Sequence, residues 1–569
     1  MKIIPIPKHY VFKDGFFNMK KASILQSGSS DFLGELLGIK SSDNGNVIID
    51  LTSDESEAYS LDITSDKIVI TGSEKGVFYA VSTLRQLIHE YGDKIPCMQI
   101  NDEPDFAVRG YYFDITRGRV PKLETLYKLC DTLAYYKLNH LELYVEHSFE
   151  YTGMEEIWHD KSPITREEIK ALDAYCRKLY IELVPSFSLF GHLYEILRHP
   201  KYSHLCEITP ESYYSWHDRM IHHTIDITNP ESFELIKGMI DDVVDLFTSD
   251  KFNICCDETF DLGTGKSKEY VEKVGIGTAY TQFVKKIATY VQSKGKKVML
   301  WGDIVLKHKD CIPLLPKDLT MLNWNYKAEP SEENIKIFED VNIPQIVCPG
   351  TSGWCEPFNN YHVAHSNIIK SAKYAKKHGA EGLLTTDWGD FGHFNIPENS
   401  LPMLVLSAGV SWNVNTDIPN SHISFMLDED EDTLDTLMEI SKFIRYNFRT
   451  MVMDYESIAR GEVPKHLQIF KDYKKRDSCK IFEKALPHLP NYSLGIRGSI
   501  LLHKIAYTIS DNVTNTQLAE EIRSYIADYA DNWRKDYKES ELQKIIDLFY
   551  SLADLVEGIK TFDCNNLKY

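Results

Sequence analysis

At 569 residues the chain is too long for one ordinary core, so about two to four domains are expected, with a barrel of about 250 residues among the options. An apolar fraction of 43% and a charged fraction of 26% sit at globular averages and exclude a disordered chain. A formal charge of -21 opposes binding to phosphate backbones or anionic lipid, and no stretch approaches the roughly 20 apolar residues needed to cross a bilayer, so neither nucleic acid nor membrane is expected as a partner.

The opening "MKIIPIPKHYVFKDG" has no long apolar core, so export by a standard signal is not expected. Eleven cysteines without CxxC pairs read as reduced thiols used as small apolar residues, which makes the cytoplasm the expected address. In residues 1–104, "NVIIDL", "YSLDIT" and "DKIVITG" read as strands by alternation or by short apolar runs ending in turn residues. One helix follows in "GVFYAVSTLRQLIHEYG", where Val77, Val81, Leu84, Ile88 and Tyr91 repeat at spacings of three and four before Gly92. A small α+β accessory domain is expected, with "CMQINDEPDFAVRG" as the link to the next one.

Residues 105–416 alternate strand and helix. The strands are "VRGYYFDIT", "HLELYV", "YIELVPSF", "FNICC", "KVMLW", "LTMLNW", "PQIVCP" and "GLLTTDW", and helical stripes such as "KLETLYKLCDTLAYYK" and "AYTQFVKKIATYVQSKG" lie between them. At Asn229-Pro230-Glu231 the Asn suits an N-cap and the Pro the first helical position. Strands apolar throughout, separated by amphipathic helices, predict a parallel sheet covered by helices, and eight such units predict a closed (β/α)8 TIM barrel. An open doubly wound sheet is the alternative, disfavoured because no Gly-rich phosphate turn follows the first strand. Residues 417–569 change to helical stripes alone, as in Leu518, Ile522, Tyr525, Tyr529 and Trp533, and predict a helical C-terminal region. A homo-oligomer is compatible with the composition.

In such a barrel the loops after the strand C-termini share one rim. Reading each strand end gives Asp114 and Arg117; Glu146 and His147; Gly191-His192; Asp257-Glu258; Trp301 with Asp303; Trp324 with Tyr326; Trp354; and Trp388 with Asp390. Four tryptophans at the ends of consecutive strands form an aromatic wall, which together with Arg and Asp suits a carbohydrate. A single Trp, Asp or His at a strand end is as readily packing, a cap or a clamp; the set carries the reading. Neighbours in a regular strand point to opposite faces, so Asp257 and Glu258 act on one substrate only if the chain leaves strand geometry there. Adjacent carboxyls fit neither the spacing of about 5 Å across the scissile carbon of an ordinary retaining glycosidase nor the wider inverting arrangement. They fit a mechanism in which the substrate's own 2-acetamido oxygen attacks the anomeric carbon, one carboxylate steadies the acetamido nitrogen and its neighbour protonates the leaving oxygen.

With "NICCDETFDLG", "RGYYFDITRG", "SLFGH", "MLWGD", "LNWNY" and "TDWGD" in view, the chain resembles glycoside hydrolase family 20, the β-N-acetylhexosaminidases, over about residues 1–415. The resemblance implies a retaining, exo-acting enzyme that releases terminal β-linked GlcNAc or GalNAc from a glycan or glycoconjugate and needs no metal or other cofactor. It implies Glu258 as acid/base, Asp257 as the charged group on the acetamido, Arg117 on the 3- and 4-hydroxyls and His192 near the acid/base. Trp301, Trp324 and Trp388 would wall the sugar subsite, and Asp390 would take the place of an acidic hydroxyl ligand. Two positions depart from the pattern. Cysteines stand where glycines are usual before Asp257, and the tyrosine expected after the seventh strand is absent, leaving Trp354, Tyr361 and Tyr326 as alternatives for that position. Glu146 stands where an aspartate pair is common and is assigned to a charge network behind His192. The rival readings are a metal-dependent barrel hydrolase, which lacks the His-x-His expected on the first strand, and a non-catalytic carbohydrate-binding barrel.

Overall fold

A computed structural model of the chain describes residues 1–26, 30–210, 215–216, 218–316, 318–472 and 477–558. The first hundred residues build a seven-stranded mixed sheet. Its strands run in the order His9–Asn18, Lys94–Asp102, Tyr59–Ile63, Ile68–Gly72, Val47–Leu51, Ile24–Leu25 and Ser41–Ser42, with Tyr59–Ile63 antiparallel to both of its neighbours. The stretch "CMQIND", expected as a link, belongs to the strand Lys94–Asp102, which pairs on both sides and in which Ile95, Cys97, Met98, Ile100 and Asp102 are buried.

The helix Glu74–Tyr91 starts at Ser73, whose side chain accepts from the Gly76 N–H, and ends at Gly92. It is buried on more than the predicted stripe because it is packed on two sides. One face covers the sheet, while Gln86 and Ser82 donate to the carbonyls of Tyr135 and Ala134 on the first barrel helix, Leu123–Tyr135. Buried polar contacts lock the same junction: Trp412 Nε1 donates to Asp102 at 3.0 Å, and Arg109 pairs with Glu57 at 2.7 Å.

Eight parallel strands close into a barrel: Val108–Asp114, His140–Val145, Glu182–Phe187, Lys251–Asn253, Lys297–Trp301, Leu319–Trp324, Gln345–Cys348 and Gly382–Asp387. Closure is made by the eighth strand on the first, with Thr386 opposite Tyr112. Asn229 caps the helix Pro230–Val243 by accepting from the Glu231 N–H. The last barrel helix, Leu401–Trp412, is apolar on every side, as expected of a helix enclosed by other elements.

The C-terminal region is helical among the described residues, from Asn420–Met426 to Leu542–Glu557. The stripe Leu518, Ile522, Tyr525, Tyr529 and Trp533 is buried on helix Thr516–Asp536. Arg119, just past the first strand, is wedged into this face: its guanidinium lies 4.0 Å from the Trp533 ring and 4.6 Å from Tyr537, and it donates to the Asn395 carbonyl at 2.8 Å. Among the described residues no helix is long and apolar enough to cross a membrane.

Candidate active site

The fourth strand stops at Asn253, whose side chain accepts from the Cys255 N–H at 2.9 Å and donates to Glu142 at 2.9 Å. The next residues leave strand geometry: Cys255 (φ 55), Cys256 (φ 64) and Glu258 (φ 48) are all left-handed. That conformation costs a non-glycine residue on the order of 1–3 kcal/mol. Burial of both thiols offsets it, Cys255 against Tyr112, Tyr144 and Trp301, and Cys256 with its carbonyl accepting from Tyr280 OH at 2.8 Å. The strand alternation is thereby broken, and both carboxyls turn to one side. His192 Nε2 lies 3.2 Å from Asp257 Oδ2 and 3.6 Å from Glu258 Oε2.

The electrostatics differ between the two acids. Burial pushes the Glu258 carboxyl up, His192 opposes the shift, and Asp257 adds to it. Asp257 Oδ1 is buried without a hydrogen-bond partner, an acceptor facing no protein donor. Burial opposes a charge on His192, yet Asp257 raises it to about 9, so the ring is an imidazolium at neutral pH. Its backbone N–H donates to His223 Nδ1 at 2.7 Å, and burial holds His223 neutral. Asp303, at the start of the loop after the fifth strand, accepts from the Glu258 N–H at 3.2 Å; burial and then the charges of Asp257 and Glu258 raise it to about 7.

Beside the acids is a pit of about 170 Å³ lined by Arg117, His192, Asp257, Glu258, Trp324, Tyr326, Trp354, Trp388 and Asp390. Trp324 stacks on Tyr326 with ring centroids 5.1 Å apart, Trp354 lies 4.8 Å from Tyr326, and Trp388 Nε1 donates to Tyr326 OH at 2.7 Å. Burial pushes the Tyr326 phenol well up, so it keeps its proton. Trp301 does not line the pit: it is fully buried, 5.7 Å from Trp388 and 5.1 Å from Tyr112, and supports the floor from beneath. Its side chain is the last of a strand, where inward residues fill the barrel interior. Tyr361, the other tyrosine alternative, points away and donates to the Asn399 carbonyl.

Arg117 is held rigidly. It pairs with Asp114 at 2.7 Å, with Glu146 at 2.8 Å and with Asp390 at 3.4 Å, and lies over the rings of Tyr144 and Trp388. Asp114 also accepts from the Gly389 N–H, tying the first and eighth strand ends together. Burial alone would raise Glu146, but Arg117 and other cations hold it well below the carboxylate range. Its second oxygen takes Arg219 at 3.1 Å, so the network predicted behind His192 runs outward through Arg219. His147 lies between two carboxylates, with Nδ1 3.8 Å from Glu146 and Nε2 3.9 Å from Glu541. Among the described residues no group of three His, Cys, Asp or Glu side chains could hold a metal ion.

Several residues of the rim are not revealed by the strand-end pattern. His223, Trp216, Arg219 and Met220 come from the long segment between the third and fourth strands, Phe391 from a left-handed turn (φ 56), and Arg449 from the C-terminal helix Phe448–Ala459. With Tyr194, Phe260 and the Arg117–Asp390 end of the pit, all of these but His223 enclose a second cavity of about 350 Å³. Asp303 was visible as part of "MLWGD", but nothing in the sequence marks its contact with Glu258.

The model of the glycosyl hydrolase family 20 catalytic domain matches residues 106–389, and that of the family's domain 2 matches residues 1–103. Among curated relatives, the chain is 25% identical over 294 residues to a lacto-N-biosidase of Bifidobacterium bifidum, covering 49% of this chain and 25% of that protein. It is 26% identical over 234 residues to a beta-hexosaminidase of Vibrio vulnificus (33% and 28% covered), and 21% identical over 345 residues to human hexosaminidase D (55% and 69% covered). The matches thus span about a quarter of the length of the first two of these relatives. Among solved structures, a GH20 exo beta-N-acetylglucosaminidase from Vibrio harveyi, in complex with N-acetylglucosamine, superposes with a TM-score of 0.61 at 18% identity, covering 77% of this chain and 78% of that one. A chitobiase from Flavobacterium johnsoniae gives 0.61 at 18% identity over 100% of this chain and 95% of that one, helical C-terminal region included. At that identity the superpositions establish the fold. The barrel, the preceding mixed sheet and the two domain matches together make this chain a member of glycosyl hydrolase family 20.

Proposed function

We propose that the chain is an exo-acting β-N-acetylhexosaminidase that releases a terminal β-linked GlcNAc or GalNAc with retained configuration, through an oxazoline-type intermediate. The observation that carries the reading is the convergence of Asp257 and Glu258 on the aromatic pit, produced by three left-handed residues at the end of the fourth strand. A sugar whose 2-acetamido group enters the pit brings its N–H to Asp257 Oδ1, the buried oxygen without a partner. Tyr326, which accepts from Trp388 and keeps its own proton, donates to the acetamido carbonyl and orients it toward the anomeric carbon. That assigns to the loop after the sixth strand the role of the tyrosine absent after the seventh.

In the first step the acetamido oxygen forms a bond to the anomeric carbon as the glycosidic C–O bond breaks, and Glu258 gives its proton to the leaving oxygen. Asp257 stabilises the positive charge that spreads onto the acetamido group. In the second step Glu258 takes a proton from water as that water attacks the same carbon, and the five-membered ring opens. His192 holds both acids in place from one side. Arg117 and Asp390 engage ring hydroxyls away from the reacting bond, while Trp324, Trp354 and Trp388 exclude water from the cationic intermediate. The described cysteines are free, in keeping with a reducing compartment such as the cytoplasm.

The test is hydrolysis of 4-nitrophenyl β-N-acetylglucosaminide beside the plain β-glucoside. Strong preference for the acetamido sugar supports the reading, and equal rates would replace it with a direct carboxylate nucleophile.

A further inference from the structure

The two loops that hold Arg117 are both tied to one short stretch of the C-terminal region, residues 537–541, between the helices Thr516–Asp536 and Leu542–Glu557. That stretch runs antiparallel to residues 118–121, which begin directly after Arg117. Tyr537 bridges to Pro121, the Lys538 N–H donates to the Val120 carbonyl at 2.8 Å, the Val120 N–H donates to Ser540 Oγ at 3.2 Å, and the Glu541 N–H donates to the Gly118 carbonyl at 3.1 Å. Gly118 takes a left-handed backbone (φ 107) that suits glycine, and a Cβ there would lie 3.2 Å from the Gly392 carbonyl oxygen and 3.5 Å from Glu541 Oε2.

The Glu541 side chain reaches the second loop. Its Oε2 lies 3.9 Å from His147 Nε2, and His147 Nδ1 lies 3.8 Å from Glu146, the carboxylate that holds Arg117 Nε at 2.8 Å. Lys161, at 3.2 Å, and Lys544 hold the other oxygen of Glu541. Burial opposes a charge on Glu541, which is 8% exposed, but Lys544 and Lys161 outweigh it and keep the group a carboxylate. Buried ion pairs add little stability over apolar packing of the same shape, and their best-attested use is to fix one geometry. Here the geometry fixed is that of the ends of the first two barrel strands, which meet the C-terminal region at this one residue.

We propose that Glu541 is a positioning residue for the sugar-binding arginine: by joining the loops after strands one and two, it sets Arg117 against the ring hydroxyls. The inference rests on the proposed function, since Arg117 meets those hydroxyls only with the acetamido group in the pit. Misplacing such a group by about 1 Å can cost about a hundredfold, so a contact outside the pit is enough to reach substrate binding.

The test is Glu541→Gln, which keeps the backbone N–H on the Gly118 carbonyl and removes the charge, assayed on 4-nitrophenyl β-N-acetylglucosaminide and its 3,4-dideoxy counterpart. KM for the parent glycoside is expected to rise at least fivefold with kcat within twofold, the mark of lost ground-state binding. On the dideoxy glycoside, which offers Arg117 nothing to hold, the change is expected to stay below twofold. A merely structural defect would lower both alike. His147→Asn breaks the same link from the barrel side and leaves both lysines their carboxylates. It is expected to give the same signature, and it decides alone where Glu541→Gln does not fold; where both fold, the double variant should be no worse than the more impaired single one. Equal losses on the two glycosides, unchanged KM in the variants, or additive losses in the double variant overturn the assignment and leave the proposed function standing. If the wild-type protein cleaves neither glycoside the proposed function falls, and calorimetry with free GlcNAc and its 3,4-dideoxy form decides the assignment separately. Binding of GlcNAc alone weakened at least fivefold in the variant supports it, and unchanged binding, or none in the wild type, overturns it.

Discussion

The two halves of the barrel rim are built in different ways. After strands six to eight the functional side chains sit within a few residues of the strand ends: Trp324 and Tyr326, Trp354, Trp388 and Asp390, all lining the small pit. After strands one to three the rim is finished by distant segments. Glu146 is completed by Arg219 from a long loop, and the C-terminal helices close the outer cavity with Arg449 and anchor Arg119. Short connections let the strands themselves set the geometry of the first half. The second half depends on tertiary packing for its shape, so mutations far from the chemistry are expected to reach it.

The largest expected effect lies where the halves meet, at the fourth strand. Glu258→Gln should lower kcat on N-acetylglucosaminides with poor leaving groups by about a thousandfold, within the range of about 10²–10⁴ for general acid catalysis, while an activated aryl leaving group recovers most of the first step. Equal losses on both substrates would deny Glu258 the proton-donor role. On the packed half, Arg119→Ala removes a buried guanidinium from between Trp533 and Tyr537 and leaves the Asn395 carbonyl without its donor. A loss of about 3 kcal/mol is expected, read as a lower midpoint in urea. An unchanged midpoint would show that the C-terminal helices do not brace the barrel.

On the strand-end half, Tyr326→Phe should cost about thirtyfold in kcat, near 2 kcal/mol, with little change in KM, because the bond to the acetamido oxygen strengthens as that oxygen attacks. A loss confined to KM would make Tyr326 a ground-state contact. The smallest effect is a shift in pH dependence. Asp303 gains negative charge as pH passes about 7, and that charge favours the protonated form of Glu258, whose carboxyl is already raised. Asp303→Asn removes the charge while its amide oxygen can still accept from the Glu258 N–H, so Glu258 should lose its proton at lower pH. The basic limb of the kcat/KM profile is then expected to move down by about half a unit to one unit. A limb that stays in place would separate Asp303 from the acid.

What was legible follows the same division. The eight strands, their order in the barrel and the helical C-terminal stripe could be read from apolar runs and spacing, because burial on both faces leaves a continuous apolar strand and burial on one face leaves a period near 3.6. The strand Lys94–Asp102 reads as a link because its last two residues, Asn101 and Asp102, are polar and run directly into the acidic, proline-containing "EPD", although Asp102 is buried. The strand-end pattern puts Trp301 on the pit wall because adjacency to a strand end does not say whether a side chain is the last inward residue or the first of the loop. His223, Arg219, Trp216 and Arg449 could not have been found by periodicity, since what brings them to the rim is contact between segments far apart in the chain. The left-handed turn at Cys255–Glu258 was required by the chemistry but not encoded by glycine, and the burial of two thiols explains how the chain holds it.

The central claim is that the attacking group belongs to the substrate. It is tested most directly with 4-nitrophenyl N-acylglucosaminides carrying acetyl, fluoroacetyl, difluoroacetyl and trifluoroacetyl groups, since each fluorine withdraws electrons from the amide oxygen and leaves the ring and leaving group unchanged. A steep fall in kcat along the series, about tenfold or more from first to last, is the predicted result. A flat series, with a sugar found attached to Asp257 or Glu258 in the quenched reaction, would contradict it.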